Sequence, residues 1–161
     1  MNALDIIKYG HKDVLESLKD LGDSLKDVIG VTTNWSIKDT LSHLASYEHL
    51  LEDALNFVAE SGRTGPYLDS MNTSRATFND DHVAKYKTKS FDEVLDDYIK
   101  TYERATKLAE KLGPEKLREA GTIPWYGAEY SLDDFIVYAS YGHKREHAGQ
   151  IKQLLKRFST E

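Results

Sequence analysis

Four long stretches of helical-period hydrophobicity constrain this chain's fold more than any other feature. The first runs from about Leu4 to Val28, with Leu4, Ile7, His11, Val14, Leu15, Leu18, Leu21 and Leu25 on one side. The second begins at Thr33-Asn34-Trp35-Ser36 and continues to about Glu60, with Ile37, Leu41, Leu44, Leu51 and Leu55 as its central stripe. Ser36 suits an N-cap, Asp39 is placed to reach back to it, and Trp35 can lie on the first turn. Ser61-Gly-Arg-Thr-Gly-Pro66 ends this helix. A third helix opens at Ser90-Phe-Asp-Glu93 and runs to about Leu112, before Gly113-Pro114. The fourth opens at Ser131, where Asp133 and Asp134 suit the positive end of a helix dipole. About thirty residues separate helices two and three, far more than a helix–helix turn requires. Part of this stretch, Asp69 to Tyr86, is expected to form a short or irregular helix. So long a connection can cross a bundle, letting helices two and three run parallel. No strand pattern, repeat or low-complexity tract interrupts this reading. The expectation is an all-α four-helix bundle, a single domain over residues 1–161.

The length suffices to bury a core without disulfide or metal staples. A formal charge of −6 and dispersed basic residues argue against a nucleic-acid binder. The basic cluster Lys152, Lys156 and Arg157 suits the negative end of the last helix and needs no partner. No run approaches the roughly 18 apolar residues of a membrane span. The opening Met-Asn-Ala-Leu-Asp lacks the layout of a signal peptide, so a cytoplasmic setting is expected. The chain has no cysteine, which excludes disulfides, thiolate ligands and a cysteine nucleophile.

The chemistry-bearing feature is His143-Lys-Arg-Glu-His147. At about 100° per residue, Leu132, Ile136, Ala139, His143, His147, Gln150, Leu154 and Phe158 share one stripe of the last helix. Both imidazoles therefore face inward, where an unpaired polar group costs about 1–3 kcal/mol. Histidines one turn apart offer two ligands to one metal, while two core histidines hydrogen-bonded to their surroundings are the plainer alternative. The motif is not HExxH, because Glu146 directly precedes His147, so zinc-protease mechanics do not follow. His43 lies at the edge of the apolar arc of helix two, beside Tyr47 and Leu50. If helices two and four are neighbours, three imidazoles converge. Such a donor set fits Zn, Ni, Fe(II) or Co and does not suit Mg or Ca.

The order Trp35-Ser36, His43, then His143-x-x-x-His147 followed by Gln150-Ile151 resembles the DinB-like (YfiT-like) four-helix family. Ala76-Thr-Phe-Asn79, Ser90-Phe-Asp-Glu-Val-Leu95 and Pro124-Trp-Tyr126 resemble its ClbS/DfsB-type branch. The resemblance spans nearly the whole chain. It implies an up-down-down-up bundle, often a homodimer, with a divalent metal held by His43, His143 and His147. Zn or Ni leads among the metals, with Fe or Co as alternatives. Relatives in the family include thiol-dependent S-transferases and a thiol-dependent isomerase. The ClbS/DfsB-type branch includes a resistance protein that opens a reactive cyclopropane toxin without relying on the triad.

Around this site, Glu48 is a candidate general base or a group orienting a ligand histidine; the alternative is a carboxylate paired with a buried Arg, Tyr or backbone group. Gln150 can hydrogen-bond a ligand or substrate. Tyr47, Asn79, Trp125, Tyr126 and Tyr141 are candidate pocket residues, though aromatic side chains in a bundle are core by default. Arg75 can close one end of the bundle and meet an anion. His11 reads as structural, and His49 and His82 as surface or edge residues. The leading expectation is a metal-dependent transferase or hydrolase acting on small electrophiles in stress response or detoxification. Its partners would be the electrophile and a low-molecular-weight thiol. The rivals are a metal-free binder that sequesters a reactive small molecule and a structural dimeric bundle.

Overall fold

A computed structural model describes residues 2–159. Helix α1 spans Ala3–Leu18, and the Asn2 side chain accepts from the Asp5 N–H at 3.0 Å. It stops ten residues short of the predicted end. Lys19 is extended and Asp20 takes φ 59°, in a stretch of Asp, Gly and Ser that favours turns over helix. The apolar spacing beyond Leu18 reflects loop packing: Leu18 and Leu21 lie against Val31, Ile37, Ile151 and Leu154. A single 3₁₀ turn, Asp23–Leu25, is all the helix this stretch keeps.

Helix α2, Ile37–Ala59, starts at the predicted capping box. Ser36 Oγ accepts from the Asp39 N–H and the Asp39 carboxylate accepts from the Ser36 N–H, both at 3.1 Å. The helix is buried on nearly every face through its first turns, with Ile37 and residues 39–46 all covered. The crossover holds two short helices where one irregular piece was expected: α3, Pro66–Thr73, and α4, Phe78–Lys85. Proline opens α3, where a missing N–H costs nothing. The next two N–H groups, of Tyr67 and Leu68, donate to Asp53 of α2 at 2.9 and 3.0 Å. Gly65 makes this cap possible, since a Cβ there would lie 2.4 Å from the Asp53 carboxylate.

Helix α5, Phe91–Arg118, begins with Ser90 accepting from the Glu93 N–H at 3.1 Å. Gly113 breaks it at φ 83°, near the predicted end, but Pro114 restarts a last turn that buries Leu117. The final rod opens with a capping box between Ser131 and Asp134 and has three parts. These are α6 (Leu132–Phe135), a π-helical segment (Ile136–Gly142) and α7 (His143–Ser159). The wider π turn rotates the inward face of α7. Lys144, Ala148 and Ile151 join His147 and Leu154 inside, while Phe158, placed on the predicted stripe, is 44% exposed. The helical segments therefore outnumber the four expected, because turns, caps and a π segment cut the periodic stretches.

Contact register gives the helix directions. His49 meets Asp97 and Glu52 meets Arg104, so α2 and α5 run parallel, as the long crossover allows. Gly10 lies against Tyr141, and Asp13 against Arg145, so α1 runs parallel to the last rod. Tyr47 meets His143 and His43 meets His147, making α2 antiparallel to that rod. This last pairing brings the histidines together. Among the described residues no helix is long and apolar enough to cross a membrane.

Candidate metal centre

His43 from α2 and His143 and His147 from α7 aim their Nε2 atoms at one point. The His43 and His143 Nε2 atoms are 2.6 Å apart, and those of His143 and His147 are 3.1 Å apart. His43 and His147 are buried and His143 is half-buried. The π segment directly before His143 carries the pair into this position, and such segments recur at functional sites.

Two aromatic rings flank the triad. Trp35 lies 4.6 Å from His43 and 6.3 Å from His147, between ring centroids. Tyr47 lies 4.4 Å from His143 and 4.9 Å from His43. The sequence places Trp35 against the first turn of α2. Its ring instead covers the histidines, because the turn at residues 30–35 folds back on itself. There the Gly30 and Val31 N–H groups both donate to the Trp35 carbonyl at 3.1 Å.

The triad is neutral at physiological pH. Burial, reinforced by the neighbouring imidazoles, lowers the His43 pKa to about 2 and the His143 pKa to about 3, with Lys144 adding to the latter. Burial also lowers His147, against the opposing hydrogen bond to Gln150. In that bond His147 Nδ1–H donates to Gln150 Oε1 at 2.8 Å, which leaves the Nε2 lone pair facing the other two rings. The Nδ1 atoms of His43 and His143 are buried without a partner. If their protons sit on Nδ1, three lone pairs converge and repel. If their protons sit on Nε2, two buried Nδ1 acceptors are left unsatisfied. No arrangement of protons pairs every ring nitrogen, since the Nδ1 atoms of His43 and His143 face no partner, whereas a divalent cation between the Nε2 atoms would accept all three Nε2 lone pairs at once. The three histidines could hold a metal ion, and a neutral-imidazole set of this kind suits a borderline transition metal.

Behind the triad is a buried charge pair that sequence reasoning missed. Lys144 and Glu48 are 2% and 1% exposed and form an ion pair. The ammonium sits over the rings of Tyr98 and Tyr102, at 5.5 and 5.2 Å from their centroids. From sequence, Glu48 is a candidate base, an orienter of a ligand histidine, or a carboxylate paired with Arg, Tyr or backbone. Its partner is a lysine, and no hydrogen bond joins it to the triad among the described residues. Lys144 lay off the predicted stripe, so only the rotation introduced by the π segment reveals it. His11 faces inward and stacks on Tyr102 at 3.6 Å.

Beyond Tyr47 opens a cavity of about 350 Å³ lined by Tyr47, Leu50, Met71, Arg75, Asn79, Trp125, Tyr126, Phe135 and Ala139. It brings together Tyr47, Asn79, Trp125 and Tyr126, and Tyr47 donates to Asn79 Oδ1 at 3.2 Å. Gln150 is not among the lining residues and contacts His147 instead. Tyr141 is also outside, with its hydroxyl accepting from Arg145. His82 is a correction to the surface reading: it is 1% exposed, 3.0 Å from Ser70 Oγ and packed on Tyr67 and Phe78. His49 is half-buried, stacked on Tyr67 and 3.0 Å from the Asp97 carboxylate. His49 fastens the crossover to α2 and α5, and His82 ties α4 to α3 within the crossover, tertiary roles that helical phase does not encode.

The fold is shared with a protein of known structure. The crystal structure of an uncharacterised protein from Escherichia coli UTI89 superposes with a TM-score of 0.75. The match is 14% identical and covers 98% of this chain and 92% of that one, a likeness of fold alone. No curated protein matches the chain. The sequence itself is more decisive than either, since a family model matches residues 7–151, a span that takes in all three converging histidines: the chain belongs to the DinB superfamily.

Proposed function

We propose that this protein is a metal-dependent transferase or hydrolase for small electrophiles, using a low-molecular-weight thiol as cosubstrate. The observation that carries this reading is the meeting of three neutral, buried imidazole Nε2 atoms beside an aromatic-lined cavity. His43, His143 and His147 would hold a divalent ion, with Zn or Ni favoured by the all-nitrogen donor set and Fe or Co as alternatives. Such an ion supplies Lewis acidity that brings the pKa of a thiol or water toward neutrality.

The chain's own residues would do the rest. Gln150 fixes the tautomer of His147, and Trp35 and Tyr47 shield the triad from bulk water. Burial raises the Tyr47 pKa against the influence of Arg75, so its hydroxyl stays protonated and holds Asn79 at the cavity wall. The cavity would seat the electrophile. Because the chain has no cysteine, any sulfur that bonds to the electrophilic carbon must arrive from outside. Glu48 is better assigned to positioning α7 through Lys144 than to proton transfer. A role in detoxification, a cytoplasmic setting and a homodimeric state belong to the same proposal.

The test is to purify untagged protein, measure bound metal, and assay thiol conjugation of a generic electrophile before and after chelation. Stoichiometric metal, with activity lost on chelation and restored on reloading, is expected. Equal activity in the metal-free protein would overturn the reading. One observation favours a second reading, a metal-free binder that sequesters a reactive small molecule: none of the three imidazoles is among the residues lining the cavity. The ClbS/DfsB-type motifs point the same way. That reading requires ligand binding unchanged by chelation and no turnover.

A further inference from the structure

We infer that the cavity beside the triad selects a small apolar molecule carrying one carboxylate, held by Arg75 with Trp125 and Asn79. This rests on the proposal that the cavity is the substrate site. Its walls are apolar or aromatic over Leu50, Met71, Tyr126, Phe135 and Ala139. Its volume of about 350 Å³ lies within the range of small-molecule sites, roughly 300–1,000 Å³. One charged residue lines it, and that residue is a cation. Arg75 forms no ion pair among the described residues, in a chain with 27 acidic side chains against 21 basic ones. The other polar groups on this wall are also donors. Trp125 Nε1–H is buried without an acceptor. Asn79 uses its Oδ1 to accept from Tyr47, which leaves its amide N–H₂ to donate. A wall that offers a guanidinium and an amide N–H₂, with an unpartnered indole N–H beneath it and no carboxylate opposing them, is complementary to an anion. The guanidinium fork matches a carboxylate in particular.

The occupant is thus a flat or branched apolar acid, with its anionic end toward the crossover at Arg75 and its reacting end toward Tyr47 and the triad. Arg75 is exposed, so its contribution is that of a screened charge and falls with salt.

The experiment uses full-length protein loaded with Zn, titrated calorimetrically with 1-naphthylacetate and with its neutral amide. The acid should bind about tenfold more tightly than the amide. Arg75→Gln should remove that preference while leaving amide binding and metal content unchanged. Trp125→Phe keeps a ring in the wall and should lose part of the preference. Repeating the titration after chelation separates this inference from the reading beneath it. A preference that survives chelation and depends on Arg75 supports the inference, even if the protein proves not to be a metal enzyme. A preference that survives Arg75→Gln but disappears on chelation would place the carboxylate at the metal and overturn the inference, leaving the metal centre intact. Equal binding of acid and amide by the wild-type protein would also overturn it.

Discussion

Replacing Lys144 by methionine keeps most of the side-chain volume and removes the charge that faces Glu48. Both residues are almost fully buried, so the carboxylate left behind cannot reach water without opening the contact between α2 and α7. Breaking one side of such a pair costs about 3–5 kcal/mol, chiefly because the remaining ion is desolvated and unpaired. For a chain of this length each kcal/mol moves Tm by roughly 2–4 °C, so Lys144→Met should lower Tm by about 6–20 °C. Glu48→Met should cost a similar amount, leaving the ammonium with only the faces of Tyr98 and Tyr102. The double variant removes both charges and leaves two flexible apolar side chains in contact. Replacing a whole buried pair in this way is often near neutral, so the double should fall within about 2 kcal/mol of wild type. The assay is urea denaturation of metal-free protein at pH 7 for all four members of the cycle. A double variant whose cost equals the sum of the singles would refute the reasoning, as would a Lys144→Met variant within about 1 kcal/mol of wild type. If a single variant fails to fold, recovery of the fold in the double is itself the expected coupling.

Two further outcomes follow from the same geometry. Gln150→Leu removes the acceptor of the His147 Nδ1 proton. It should weaken Zn binding by about 10–100-fold in competition with a chelator while the helical content stays the same, and unchanged affinity would count against the triad as a metal site. His11 is lowered to about 4 by burial and then by the charge of Lys144, so below its ordinary value of 6.5 the unfolded chain binds a proton that the folded chain does not. Its contribution is therefore complete above pH 6.5 and is lost as pH falls toward 4. Between pH 7 and 4.5, in chelator, wild type should lose about 1–2 kcal/mol more stability than His11→Gln, discounted for partial exposure; parallel losses would remove His11 from the account.

The local signals carried far. Ser36 with Asp39, and Ser131 with the acidic turn after it, could be placed from sequence because a cap involves residues three apart. The i,i+4 spacing of His143 and His147 was readable for the same reason. His43 was legible only as a residue at the edge of an apolar arc, and its family resemblance supplied the link to the other two. Where periodicity misled, a tertiary contact was responsible. Leu21 keeps helical spacing while sitting in a loop, because it packs, partly buried, against α2 and α7. His82 has no apolar stripe to mark it, yet Tyr67, Phe78 and Ser70 enclose it.

By itself the sequence determined the all-helical character, the starts of the long helices, the long crossover, the absence of any sulfur nucleophile and the two histidines one turn apart. These depend on composition or on residues within a few positions of each other. The tertiary structure alone decided that His43 meets that pair across a hundred residues, that Lys144 rather than a neighbour answers Glu48, and that Trp35 covers the imidazoles. It also decided which wall Arg75 joins. The first two turn on the rotation of one helix against another, whereas Trp35 is placed by the folded-back turn at residues 30–35 and Arg75 by the crossover. A π segment of seven residues sets that rotation here, and the sequence period of an ideal helix does not register it.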